Sequence, residues 1–173
     1  MKERTRVEEQ LRRLSLTDHL TGLYNRRGFL ALSEQQMRVA MRDQKPMMVI
    51  SADLDGLKEI NDTFGHKEGD TSIIETSQIL RESFRKSDVI ARIGGDEFAI
   101  LLTGGEAEFE SSKIIARLNN VVGKYNLKSS KKYRIEVSVG FAYLDVSSLY
   151  TLEELLHRAD TMMYEQKRLK RGS

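Results

Sequence analysis

Ala91-Arg92-Ile93-Gly94-Gly95-Asp96-Glu97-Phe98-Ala99-Ile100-Leu101-Leu102 decides how this chain is read. Apolar residues flank a glycine pair, and two adjacent carboxylates follow at once. Residues 89–93 and 98–102 have the composition of short strands, which puts the glycines at the turn of a β-hairpin. Glycine adopts φ > 0 there without a Cβ penalty, as tight hairpin turns demand. It also leaves no side chain to hold a ligand away from the backbone. Asp96 and Glu97 are therefore presented at a turn tip beside clear backbone. An acidic hairpin is commonplace by itself, and a second acidic strand end changes its meaning.

That second end lies upstream. Residues 47–54 form a mostly apolar run, read as a buried strand, and finish in Asp53-Leu54-Asp55-Gly56. Carboxylates at the end of a buried strand are costly unless something binds them. If the two strands are neighbours, Asp53 and Asp96 meet, and paired carboxylates repel unless a cation intervenes. Hard oxygen donors with no histidine nearby suit Mg²⁺ or Mn²⁺ rather than zinc. Magnesium held by one or two carboxylates usually takes substrate phosphates as well. The residues thus predict a nucleotide-phosphate site with one or two metals, about 3.5–4 Å apart if two.

Composition narrows the field. A chain of 173 residues with 39% hydrophobic and 31% charged residues is a globular domain with a sizeable core. The absence of cysteine removes disulfides, thiolate metal sites and cysteine nucleophiles. No apolar run approaches the roughly 20 residues that span a bilayer, and no signal peptide opens the chain. The net charge of +2 is too small to imply nucleic acid or a membrane surface. A cytoplasmic setting is the expectation, either alone or as the cytoplasmic part of a larger, membrane-bound signalling protein.

Around the acidic pair the chain reads as helices. Residues 1–15 are a charged helix whose Val7, Leu11 and Leu14 make a thin a/d seam. It is either an arm on the domain or the end of a coiled coil that joins two copies or couples to a sensor. Residues 18–27 form a turn into a helix lined by Phe29, Leu30, Ser33, Met37, Ala40 and Met41. A short helix over 57–64, a loop over 65–70 and a longer helix follow. Residues 106–125 are amphipathic, 128–134 read as a solvated basic loop, and 134–144 alternate as a strand. Thr151 caps a last helix. This order gives an α+β or α/β sandwich with a mixed sheet.

Five motifs together resemble the GGDEF family of diguanylate cyclases. They are Arg-x-Gly-Gly-Asp-Glu-Phe at 92–98, Asp-x-Leu-Thr-Gly-Leu-x-Asn-Arg-Arg at 18–27 and Asp-x-Asp-x-x-Lys-x-x-Asn-Asp at 53–62. Gly65-His66-x-x-Gly69-Asp70 and Val137-Ser138-Val139-Gly140 complete the set. The likeness runs from Asp18 to Lys167. It implies an α+β fold like the palm of nucleotidyl cyclases and polymerases, a central, mostly antiparallel sheet surrounded by helices. Residues 1–17 would be a linker or signalling helix and 18–173 the catalytic domain. The activity implied is condensation of two GTP into cyclic di-GMP and two pyrophosphates across a homodimer, each 3′-hydroxyl attacking the other α-phosphate.

The same resemblance assigns roles. Asp53, Asp96 and the Leu54 carbonyl match the metal ligands, for two Mg²⁺ or Mn²⁺ per site. Glu97 matches an acid beside them, either a ligand or a helper in deprotonating the 3′-hydroxyl. Asn61 and Asp70 match the guanine-reading pair, and a carboxylate suits the N1–H and N2 edge that adenine lacks. Lys58, Lys167 and Arg171 match phosphate contacts, although Arg171 lacks the usual preceding glycine and is equally readable as a solvated terminal residue. Arg85 and Asp88 supply the Arg-x-x-Asp of a product-inhibition site, or else an i,i+3 pair closing a helix. The expected partners are GTP, cyclic di-GMP, a second copy and an upstream sensory or receiver domain. No nucleic-acid partner and no membrane insertion are expected. A catalytically weak domain that senses GTP or cyclic di-GMP is the alternative.

Overall fold

The computed structural model of the chain describes residues 2–104, 109–144, 147 and 149–172. Helix α1 (Lys2–Leu14) precedes a turn and helix α2 (Arg26–Arg42). Strand β1 (Met47–Leu54), helices α3 (Leu57–Phe64) and α4 (His66–Ser83), and strands β2 (Val89–Arg92) and β3 (Glu97–Thr103) come next. Helix α5 (Ser111–Lys128), strand β4 (Val137–Leu144) and helix α6 (Leu152–Arg171) complete the described elements. The strands lie in the order β2-β3-β1-β4. Among the described residues all three strand pairings are antiparallel, so these strands do not form a mixed sheet, and the one parallel contact is a single bridge from Tyr24 to Ala91 of β2.

Every residue of β1 is buried, because the strand lies inside the sheet with a helical layer on each face. Met48, Ile50, Ala52 and Leu54 pack with Ile100 of β3, Ile79 and Leu80 of α4, and Leu118 of α5. The alternate residues Met47 and Val49 face the other way, onto Phe29 of α2 and Leu155 and Ala159 of α6. A strand covered on both faces loses the alternation of a half-exposed one and becomes a continuous apolar run. Helix α6 lies directly on β4. A Cβ added at Gly140 would stand 2.0 Å from the Ala159 carbonyl oxygen and 2.3 Å from the Met163 amide nitrogen.

Local chemistry sets the helix starts. Asn25 caps α2 by accepting from the Gly28 amide at 2.9 Å, and Thr151 caps α6 by accepting from Glu154. The expected loop over 65–70 is absent. Gly65 alone, at φ 92°, separates α3 from α4, and the helix resumes at His66. Glycine tolerates that backbone, so one residue suffices for the turn. Met41, expected on the packed face of α2, is exposed, as is His66. Helix α5 begins at Ser111, with position 106 outside the described residues, and β4 begins at Val137 rather than 134.

The basic loop after α5 is not simply solvated. Lys131 and the Tyr133 hydroxyl both bond Glu68 of α4. Asn126 exchanges two 2.9 Å hydrogen bonds with the Ile135 backbone. Val7 and Leu11 of the α1 seam are 50% and 60% exposed, so neither is covered by the domain. The Leu14 side chain lies outside the described residues.

Candidate active site

The register of β1 against β3 brings the two acidic ends together. Asp53 is opposite Glu97, and the Leu54 amide donates to the Asp96 carbonyl at 2.9 Å. The hairpin turn is closed by the Glu97 carbonyl, which accepts from the Ile93 and Gly94 amides. Its glycines do not use positive φ, contrary to the expectation from hairpin chemistry. The described glycines that do are Gly22, Gly56 and Gly65. Within this pair, only at Gly94 does the missing Cβ leave room for a neighbour. A Cβ at Gly94 would press on Glu97 Oε2 at 3.1 Å, and Gly95 has nothing within 4 Å.

Asp53 is 7% exposed. Its Oδ2 accepts from Lys167 Nζ of α6 at 2.8 Å, while Oδ1 is buried with no hydrogen-bond partner. Burial pushes its carboxyl up to about 7, with the Asp96 charge adding to the rise and the Lys167 ammonium opposing it. Glu97 is also raised, by partial burial and then by Asp160 and Asp96, while Arg26 and Lys167 pull the other way. Burial works against the Lys167 charge, yet Asp53, Asp55 and Asp96 outweigh it and raise its pKa. The sheet end is thus a concentration of negative charge held by too few cations.

Such a place fits Mg²⁺ or Mn²⁺. Among the described residues no three histidine or carboxylate side chains converge as a complete cation cage. The hard donors on offer would be Asp53 near the end of β1 and Asp96 just before β3, tied by the Leu54 amide to the Asp96 carbonyl, and one buried Asp53 oxygen has no hydrogen-bond partner. Magnesium keeps waters and takes phosphate oxygens to complete its shell, so a partial set of hard donors suffices.

Several neighbours were not singled out by the sequence. Asp55 receives the Ser138 hydroxyl at 2.9 Å on both oxygens and Lys170 Nζ at 3.2 Å. A cleft of about 290 Å³ beside Glu97 is lined by Arg26, Ser51, His157 and Asp160, with Ser51 bonded to Asp160 at 3.3 Å. Arg92 pairs with Asp18 at 3.2 Å and donates twice to the Gly95 carbonyl, tying the 18–25 turn to the hairpin tip. Burial disfavours the Asp18 charge, but hydrogen bonds from Thr21 and the Arg92 guanidinium hold its carboxyl below the usual range. Asp18 and Arg92 both stand in the quoted motifs, which was the available signal.

The remaining candidates stand on α3, α4 and α6 and just before β2. Asn61 on α3 presses against α4, where a Cβ at Gly69 would stand 1.7 Å from its Oδ1. Gly69 therefore admits the Asn61 amide, and exposed Asp70 follows it immediately. Lys58 is exposed on α3, and Arg171 is exposed in the last turn of α6. Arg85 and Asp88 sit at the far end of β2 from the glycine turn. The buried Asp88 carboxylate accepts from the Arg85 backbone amide at 2.8 Å, and the Asp88 amide returns a bond to the Arg85 carbonyl. They line a cleft of about 450 Å³ with Tyr24, Arg81 and Lys86.

Comparison with known proteins places the family and the fold. Residues 15–173 match the family model described as diguanylate cyclase, GGDEF domain. The chain is 37% identical over 165 residues to the bifunctional diguanylate cyclase/cyclic di-GMP phosphodiesterase MucR of Pseudomonas aeruginosa, covering 94% of this chain and 23% of MucR. It is 36% identical over 160 residues to the diguanylate cyclase TpbB of the same species, covering 90% of this chain and 36% of TpbB. It thus spans well under half the length of these relatives. The isolated GGDEF domain of TpbB superposes with a TM-score of 0.79 at 32% identity, covering 88% of this chain and 89% of that one. The GGDEF domain of DgcB from Caulobacter crescentus, solved in complex with c-di-GMP, gives 0.77 at 26% identity, covering 89% and 91%. With the motifs, the sheet register and the family match all falling on the same residues, this chain belongs to the GGDEF family of diguanylate cyclase domains.

Proposed function

We propose that this domain is a diguanylate cyclase, joining two GTP into cyclic di-GMP with release of two pyrophosphates. The observation that carries the proposal is Asp53, buried at a strand end beside Asp96 with one oxygen unpartnered. Burial of a carboxylate this poorly satisfied costs stability, which favours a ligand at that position.

Asp53, Asp96 and the Leu54 carbonyl would hold Mg²⁺ or Mn²⁺, which supplies charge neutralisation at the phosphates and acidifies a bound hydroxyl. Asn61 and Asp70 bind the guanine edge. A site built on such hydrogen bonds rejects the wrong base by leaving buried partners unpaired. Lys58, Lys167 and Arg171 draw in the triphosphate, and Glu97 receives the 3′-hydroxyl proton or orients the group that does. Each domain holds one GTP, so two copies face each other. Each 3′-oxygen forms a bond to the other α-phosphorus as the bond to pyrophosphate breaks, twice per product. Most of the acceleration is then positioning. Product returning to the Arg85–Asp88 cleft would restrain turnover.

Incubation with GTP and Mg²⁺, followed by chromatography, tests the reading. Wild type is expected to yield cyclic di-GMP and two equivalents of pyrophosphate, and Asp96→Asn neither. Binding of cyclic di-GMP with no turnover in wild type would identify a sensor module instead.

A further inference from the structure

The two acids at the end of β1 are satisfied very differently. Asp55 is fully engaged: Ser138 Oγ reaches both of its oxygens at 2.9 Å, Lys170 Nζ lies 3.2 Å from Oδ2, and Lys167 Nζ lies 3.7 Å from Oδ1. Asp53 has one ammonium on Oδ2 at 2.8 Å and nothing on Oδ1. Both lysines rise from α6, whose backbone is fixed against Gly140. Lys167 can therefore leave Asp53 only by turning its own flexible stem, with the helix staying where it is.

We propose that Lys167 is an exchangeable counter-ion, holding Asp53 in the ligand-free domain and handing it to a divalent cation only when a nucleoside triphosphate arrives to take the ammonium. The inference rests on the reading of Asp53 as a metal ligand. A divalent cation entering alone meets an ammonium already in contact with its carboxylate. A triphosphate entering alone meets Asp53, Asp96 and Glu97 with their charge scarcely balanced. Entering together, the cation replaces Lys167 on Asp53 while the phosphates replace Asp53 as the partner of Lys167, so neither the carboxylate nor the ammonium is left without a partner. Cation and triphosphate thereby raise each other's affinity by one common factor, since coupling between two ligands is reciprocal. Lys170 takes no part, because its partner Asp55 keeps the Ser138 bond throughout.

Mn²⁺ binding without nucleotide, followed by electron paramagnetic resonance of the free ion, reads the exchange without any turnover. Lys167→Gln is expected to bind Mn²⁺ about tenfold more tightly than wild type, within the usual range of coupling between sites. Lys170→Gln is expected to change binding much less, and Lys167→Arg, which keeps the charge, to gain nothing. Calorimetry with a non-hydrolysable GTP analogue should find its enhancement by Mn²⁺ reduced by a similar factor in Lys167→Gln. Equal gains in the two glutamine variants, or none in Lys167→Gln, overturn the exchange. Loss of Mn²⁺ in Asp53→Asn is required in either case. If Asp53→Asn binds Mn²⁺ like wild type, the ligand reading falls and the exchange with it.

Discussion

Replacing Asp53 with asparagine should make the metal-free domain more stable at pH 8 while ending its cyclase activity. Burial and the Asp96 charge raise the Asp53 carboxyl from 3.8 to about 7 in the fold. In the unfolded chain it returns to the ordinary value. Between these limits the folded state binds more protons, so stability is full below about pH 4 and falls as pH rises toward 7. At about 1.36 kcal/mol per pKa unit the rise corresponds to roughly 4 kcal/mol. That figure is already net of the Lys167 ion pair, so asparagine, neutral like the protonated carboxyl, is expected to gain up to about that much at pH 8. Urea unfolding in a chelator at pH 5, 6 and 8 measures it. The wild-type midpoint should fall across this range, and that of Asp53→Asn should fall less. A variant less stable than wild type at pH 8, or one with an equally steep profile, would refute the reasoning.

Other substitutions probe the packing and the separate sites. Gly140→Ala places a methyl group 2.0 Å from the Ala159 carbonyl oxygen, so α6 must lift and the melting temperature should drop by the equivalent of about 3 kcal/mol. Gly69→Ala should keep the fold but drive the Asn61 amide aside, raising KM for GTP by about tenfold and blunting discrimination against ATP. Arg85→Ala should lengthen the linear part of the progress curve and weaken cyclic di-GMP binding measured by calorimetry, with the initial rate retained. Dilution of wild type should lower the initial rate more steeply than linearly, and strict proportionality would speak against catalysis by two facing copies.

The strand and hairpin that carry the candidate acids were legible because each is contiguous in the chain. The strand over 47–54 is apolar on both faces, and Gly94-Gly95-Asp96-Glu97 marks a hairpin by composition alone. The reason for those glycines was not legible. Positive φ is the usual demand, whereas here Gly94 leaves space beside Glu97. The loop over 128–134 was misread because charge alone suggests solvent, yet Glu68 of a different helix draws Lys131 and Tyr133 onto α4. The helix start at His66 was hidden because two glycines four residues apart, Gly65 and Gly69, look like a loop. One of them in fact makes the turn and the other admits Asn61.

The identity of the acids, their order and their family were written in the chain itself, because motifs of adjacent residues need no partner to be recognised. Which acid is held and which is left wanting was decided by packing. Lys167 and Lys170 reach Asp53 and Asp55 across 114 and 115 residues of chain, at an angle fixed by one glycine under α6. Charge balance depends on distance and burial, and both arise only once the strands are in register and the last helix lies across them.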